Sequence, residues 1–274
     1  MKTIINYLVC LAGSLIFMNC SGDDGVSGTV IPNPNSEDID LPVQETPVNE
    51  NAIKIKGFPR FIKKYQYGSL EYWAQYYYNT DGNVIQVIYG YSENDGGTHS
   101  DNYEYNDEGK LINLHGYDVY HFYWDNERIV AADKYNSMWF GHSRILYEYN
   151  TEGHLIQKTE NYLDFQFSDR TTYSYFEDGN LKTIEQSYKD VDTDDFEAAF
   201  VTTINGYTED QNLFPELTII PGQRVQFQFP TSIDFKHVLS SDSDRLENYR
   251  YEYDAEGRVI EKISGYSKVI YQYY

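Results

Sequence analysis

The 274-residue chain has only 2 cysteines and 3 methionines, and 21 lysines and arginines stand against 43 aspartates and glutamates, a net charge of −22. Cys10 lies inside an apolar run, so Cys20 has no partner for a disulfide, and no Cys/His set has zinc-ligand spacing. The shortage of basic residues disfavours nucleic acid as a partner, because binding phosphates needs a basic patch. Acidic polysaccharide is disfavoured for the same reason. No apolar run reaches the ~20 residues that a membrane-crossing helix needs. There is no H-E-x-x-H, no G-x-S-x-G and no glycine-rich phosphate loop at a strand–helix junction. Carboxylates are so abundant that no pair stands out as a glycosidase pair. The expectation is a protein that is not an enzyme and carries no cofactor and no metal.

What is present divides the chain in three. Residues 1–19 read as a signal peptide: Lys2 gives a positive start, and Ile4 to Phe17 is an apolar run of secretory length. Cys20 follows where a lipidated cysteine would stand, although Met18 and Asn19 are larger than the small residues expected before it. Residues 20–52 are rich in Ser, Gly, Pro, Asn and acid, with no Lys or Arg. Such a segment buries too little apolar area to offset its ordering entropy and reads as a disordered acidic tether. The folded domain is expected over 53–274.

That domain is built on a repeat. Tyr103-Glu104-Tyr105-Asn106-Asp107-Glu108-Gly109-Lys110-Leu111 recurs as Tyr147 to Leu155 and as Tyr251 to Val259. Tyr76 to Val84 and Tyr173 to Leu181 follow the same plan, the latter with Phe176 in the Asn/Asp position. Tyr-x-Tyr puts two rings on one face of a strand and a polar residue on the other. Asn or Asp then starts a turn, and glycine takes the left-handed conformation, giving a type I turn closed by a glycine bulge. The turn glycines are Gly82, Gly109, Gly153, Gly179 and Gly257. Gly82 to Gly109 is 27 residues and Gly153 to Gly179 is 26, a period that signals stacked repeats. Phe122 to Ile129 is a degenerate unit without the glycine. Two eroded units fit between Gly179 and Gly257, with turns expected at Asn205-Gly206 and Pro221-Gly222. Pro215, Pro221 and Pro230 are expected at edges or loops. Asp190 to Ala199 is the one candidate for a helical turn. Two strands per hairpin give about 14–18 strands, more than a flat sheet carries without curling. The expected fold is all-β: an antiparallel up-and-down meander, strongly curved or closed into a barrel.

The Y-x-Y-D-x-x-G-R-L pattern of Tyr251 to Val259 resembles the YD repeat of Rhs-type proteins. The leader, Cys20 and the series of such units resemble a family of secreted Bacteroidetes lipoproteins with a porin-like β fold. Ser21-Gly22-Asp23-Asp24-Gly25 resembles the acidic signal that directs such lipoproteins to the outer face of the outer membrane. The resemblance implies a β-barrel fold and an outer-membrane, cell-surface address held by a lipid on Cys20. It implies no activity. A barrel spanning the membrane is the alternative, and Lys158, Lys182 and Lys262 in the returning strands speak against it.

Candidate contact residues come from the segments between units. Trp139, Phe140 and His142, in Asn136 to His142, place aromatic rings where a polar turn is expected and are candidate ligand contacts. Other variable connections are 91–101, 115–121, 162–171 and 189–197. The acidic stretches Ser92 to Gly97 and Asp190 to Asp195 suggest calcium but lack the EF-hand pattern. The functional expectation is a surface lipoprotein that binds a neutral glycan or an envelope protein. The alternative is a structural or envelope-assembly protein without a small ligand.

Overall fold

A computed structural model describes residues 53–91, 97–136, 141–165, 167–189, 195–211, 228–238, 244–265 and 267–274. It contains seventeen strands and, among the described residues, no helix. The first nine are β1 (Pro59–Gln66), β2 (Ser69–Tyr78), β3 (Val84–Tyr91), β4 (Thr98–Tyr105), β5 (Leu111–His115), β6 (Asp118–Asp125), β7 (Arg128–Asn136), β8 (Gly141–Tyr149) and β9 (Leu155–Tyr162). The remainder are β10 (Phe167–Tyr175), β11 (Leu181–Lys189), β12 (Glu197–Gln211), β13 (Gln228–His237), β14 (Arg245–Asn248), β15 (Arg250–Tyr253), β16 (Val259–Ser264) and β17 (Ser267–Tyr273). Apart from β14 and β15, neighbours in sequence pair antiparallel, and β1 pairs with β17 as well as β2, which brings the ends of the meander together. The expected meander is therefore a nearly closed barrel.

One seam stays unsealed. β14 is laddered to β13 and β15 to β16, and between them the Tyr249 N–H donates to the Thr231 carbonyl at 2.9 Å. Ser232 pairs with Asn248, so extending that register would set Pro230 opposite Arg250. Proline has no N–H to give, and the ladder stops there. Pro230 thus lies inside a strand, at its unpaired margin, rather than in a loop.

The repeated turns have the expected chemistry. Gly109 has φ +76°, its N–H donates to the Asn106 carbonyl at 2.9 Å, and Asn106 N–H donates to Lys110 O at 2.9 Å. Asn106 Oδ1 accepts from the N–H groups of Glu108 and Lys110. Gly82, Gly153, Gly179 and Gly257 have φ between +77° and +93°. Where Phe176 replaces the Asx, the backbone bonds persist and Asp178 Oδ1 accepts from Asn180 N–H instead. The degenerate unit turns at Asn126, whose φ is +53°, a conformation that Asn tolerates. Each turn is followed by a shift in register, as between Glu104 and Tyr105. That bulge brings both Leu111 and Leu114 to the interior, three residues apart, which a strict two-residue period would not allow.

The second aromatic of most units clasps the unit before it, and in the last unit the first aromatic, Tyr251, does so by donating to Pro230 O. The Tyr105 hydroxyl donates to Val84 O at 2.9 Å, Tyr149 to Ile129 O at 2.7 Å, Tyr175 to Leu155 O at 2.6 Å and Tyr207 to Leu181 O at 2.7 Å. In the degenerate unit the Trp124 indole N–H makes the same bond to Leu111 O at 2.8 Å. Tyr274 closes the circuit by donating to Tyr76 O at 2.9 Å. Five of these carbonyls, of Val84, Leu111, Ile129, Leu155 and Leu181, belong to the residue that pairs at a register shift, and each bond is worth about 1 kcal/mol net.

Two expectations are corrected. Asn205-Gly206 is no turn. Both residues lie within β12, where register shifts around Gly206 mark an irregular ladder to β13. The chain continues past Tyr207, so this unit has a long connection where the glycine-turn units have five residues. Nor is there a helical turn over the described part of Asp190 to Ala199, since Glu197 already pairs with Tyr188 in the sheet. Pro221-Gly222, Pro215 and residues 190–194 lie outside the described residues.

The interior is filled. Leu114, Phe122, Ala132, Ile145, Tyr147, Ile184, Ile204 and Ile233 form one buried cluster, and Ile62, Ala74, Tyr76, Val87, Phe229 and Tyr271 another. Tyr103 packs against both. The outer wall is polar along β4–β10. One row of paired outward positions runs Glu104, Asn113, His121, Asp133, Arg144, Asn161 and Ser168 across seven strands. The contrast is the outside of β1–β3, where Phe61, Leu70, Trp73, Tyr77 and Ile88 are buried together. β2 is consequently buried on both faces over its last six residues.

Candidate functional site: an outward strip on β6–β8

The chemistry-bearing side chains collect in two places. The first is the outer wall of β6, β7 and β8. Phe122, Ala132 and Ile145 point inward, so alternation sends His121, Tyr123, Asp133, Tyr135, His142 and Arg144 outward. Asp133 is the hub. Its Oδ2 accepts from the Tyr123 hydroxyl at 2.6 Å, and its Oδ1 accepts from Arg144 Nη1 at 2.7 Å. The Arg144 guanidinium lies 4.5 Å from the centre of the Tyr123 ring. Those partners hold the Asp133 carboxyl below the usual carboxylate range, although burial works the other way. His121 stands edge-on to Tyr123 at 4.8 Å, and its Nδ1 is 2.8 Å from Asn113 Oδ1.

Tyr135 and His142 face each other across the β7–β8 ladder and stack, with ring centres 4.2 Å apart and planes 7° from parallel. His142 N–H donates to Asp164 Oδ2 at 2.9 Å, which ties this end of the strip to the β9–β10 connection. Tyr135 remains 52% exposed, enough to offer a ring face. His142 is thus the one expected contact residue that can be located. Trp139, Phe140 and Cys20 lie outside the described residues. The five turn glycines sit in hairpin turns and bear no functional group.

The second place is the interior, toward the end of the barrel away from the glycine turns. Lys134 reaches Asp118 Oδ2 at 3.4 Å and Glu160 Oε1 at 3.3 Å. Asn136 donates to Asp118 at 2.6 Å, Ser143 to Glu160 at 2.7 Å, and Tyr162 to Asp169 at 3.0 Å. Asp101 accepts from Tyr89 at 3.4 Å and reaches its position because Gly116 has no side chain; a Cβ there would sit 1.9 Å from Asp101 Oδ1. Burial opposes the charge of Lys134, but Glu160 and Asp118 outweigh it and raise its pKa. Burial pushes Asp101 and Asp169 up to about 6. Tyr89 lowers the Asp101 value and Asp118 raises it, while Tyr162 lowers the Asp169 value and Glu160 raises it. Among the described residues no group of three His, Cys, Asp or Glu could hold a metal ion. The network is a satisfied polar plug.

It has a measurable consequence. Asp101 and Asp169 hold their protons more tightly in the folded state than at the ordinary value of 3.8. The native state therefore gains stability as pH falls from about 6 toward 4, on the order of 1–3 kcal/mol for each group. Glu104, Asp133, Asp178 and Asp254 are shifted down and lose their contribution only below that window. Thermal melting should therefore be highest near pH 4–6, and Asp101→Asn should raise the melting temperature at pH 7.5 but not at pH 4.5. An equal effect at both values would contradict the assignment.

Nothing in the strip announces itself as a motif. Its residues were legible only as the polar phase of three strands. Knowing that Phe122, Ala132 and Ile145 face inward would have been enough to expose it.

No protein family matches the chain, and no curated protein matches it in sequence. Among solved structures it is similar to a porin-like protein from Bacteroides uniformis, at 14% identity and a TM-score of 0.53, covering 82% of this chain and 100% of that one. A porin-like protein from Bacteroides vulgatus is similar at 11% identity and a TM-score of 0.52, over 79% of this chain and 99% of that one. A TcdB2-TccC3-Cdc42 structure aligns over 73% of this chain and 13% of its own, at a TM-score of 0.28, too low to compare folds. The first two likenesses are likenesses of fold alone.

Proposed function

We propose that the chain is an outer-membrane-anchored surface lipoprotein whose barrel is a binding module for a glycan or a protein. In this reading the lipid on Cys20 and the acidic tether of residues 20–52 hold the barrel in water beside the membrane. The observation that carries it is the polarity of the barrel. Its interior is packed with aromatic and aliphatic side chains, and its exterior carries a continuous polar row from Glu104 to Ser168. A membrane-spanning barrel needs the reverse, an outward apolar band about 25 Å tall. With the interior packed over the described residues, the outer wall and the loops are the surfaces left to act.

The test is fractionation. The wild-type protein should pellet with outer membranes and be cleaved by protease added to intact cells. Cys20→Ser should release it as a folded, detergent-free soluble protein. A Cys20→Ser protein that still needs detergent would overturn the reading.

A further inference from the structure

We propose that the outward strip on β6–β8 binds a neutral oligosaccharide, with Tyr135 and Tyr123 as stacking platforms and Arg144, Asp133 and His121 as the groups that read its hydroxyls. This rests on the binding-module reading and names the ligand class.

The platforms are held before any ligand arrives. Tyr135 is backed by the parallel His142 ring, which leaves its other face to solvent. Tyr123 is fixed at its hydroxyl by Asp133 and over one ring face by Arg144, which leaves the other face for a sugar. Groups already ordered lose little entropy on binding. The C–H face of a sugar ring is apolar and weakly positive, and it matches the negative face of an aromatic ring.

Spacing favours a chain of sugars over a single ring. Tyr135 pairs with Val119, four residues before Tyr123 on β6. The two platforms are therefore about 13 Å apart along the strands, at ~3.3 Å per residue. Between them lies the paired row His121, Asp133 and Arg144. Arg144 keeps guanidinium N–H groups beyond the one it gives Asp133, and a carboxylate oxygen accepts more than one bond. Donors and acceptors thus stand where the hydroxyls of a bound chain would lie.

Charge sets the class. The protein carries −22, which repels uronic-acid polymers, while Asp133 and Arg144 neutralise each other within the strip. A stable protein interface buries ~800 Å² per partner around an apolar centre, whereas among the described residues the middle of the strip is the polar row His121, Asp133 and Arg144, and its exposed aliphatics, Val119 opposite Tyr135 and Leu146 at the Tyr123 end, lie at its two ends.

The experiment uses the Cys20→Ser chain and calorimetry with neutral hexasaccharides of glucan, mannan and xylan type, and a hexagalacturonate as the acidic probe. At least one neutral hexasaccharide should bind and the galacturonate should not. Tyr135→Ala and Arg144→Gln should each weaken binding tenfold or more with an unchanged melting temperature. Tyr253→Ala, at an exposed tyrosine of β15, should change it less than twofold. No binding of any neutral probe, or binding indifferent to Tyr135→Ala, would overturn the proposal. Capture of an envelope protein that Tyr135→Ala abolishes, with no sugar bound, would overturn the glycan class but leave the binding module standing. Neither sugar nor protein bound would overturn both.

Discussion

Phe122→Ala should cost the barrel about 3–5 kcal/mol, the usual range for removing a buried phenyl ring from a packed core. Phe122 is 3% exposed and lies parallel to Tyr120, with ring centres 5.7 Å apart. It belongs to the cluster that joins β5 to β9 and reaches across to Ile204 and Ile233. The cavity would open where strands far apart in sequence meet, so no local rearrangement can close it. The neighbouring substitution Tyr123→Ala removes a ring of similar size from the outer wall. Its cost should stay near 1 kcal/mol, because the ring is 37% exposed and its lost contacts are Asp133 and Arg144. For a domain of this size the pair should differ by roughly 4–16 °C in melting temperature. Denaturant midpoints with equal slopes would make the comparison exact enough to decide. Similar losses for both residues would mean that the two faces of β6 are not inside and outside.

The second large effect is expected at a turn. Gly153 has φ +93°, and a Cβ built there would sit 2.9 Å from Arg128 Nη2. A β-branched residue is disfavoured in the left-handed region by more than the 1–2 kcal/mol that ordinary residues lose. Gly153→Val should therefore destabilise the barrel by ~2–3 kcal/mol, and Gly153→Asn by clearly less, since Asn tolerates that conformation. At Gly257 the φ is +78° and nothing lies within 4 Å of an added Cβ. There the Val and Asn variants isolate the backbone cost alone. If valine were tolerated at both positions in chemical unfolding, the repeated motif would not be acting through its turn.

Much of the fold follows from short-range chemistry and was legible for that reason. Asn106, Gly109 and the rings of Tyr103 and Tyr105 lie within one hairpin, so turn geometry and the two-residue period specify them locally. The clasps were hidden because they join residues 13 to 26 positions apart, and in one case 198. No local rule says that the Tyr149 hydroxyl will find the Ile129 carbonyl. Gly206 misled because glycine beside asparagine marks a turn and an irregular strand equally well; which one forms depends on β13 lying alongside. The repeat puts Tyr77, between Tyr76 and Tyr78, on the face where the other units carry a polar residue, and there it forms an outside cluster with Phe61, Trp73 and Ile88. Their phase is set by Ala74 and Tyr76, and alternation cannot say which face is inside when both are apolar.

The strip on β6–β8 was unreadable for a related reason. The sequence points to the rings in the connection from Asn136 to His142, because loops on a rigid scaffold often carry function. His142 belongs to a strand, and its partners Tyr135, Asp133 and Arg144 come from regular ladder positions. A strand residue becomes a candidate only once the inward face is known.

That inward face is the central claim, and cysteine labelling on intact cells tests it most directly. With Cys20 kept for the anchor, single cysteines at Asn113, Asp133 and Asn161 report the outer wall, and those at Leu114, Ala132 and Ile145 the interior. A membrane-impermeant maleimide should modify the first three rapidly and the second three only after denaturation. Rapid labelling at Leu114, Ala132 and Ile145 with protection at Asn113, Asp133 and Asn161 would describe a water-filled barrel in lipid, and would contradict it.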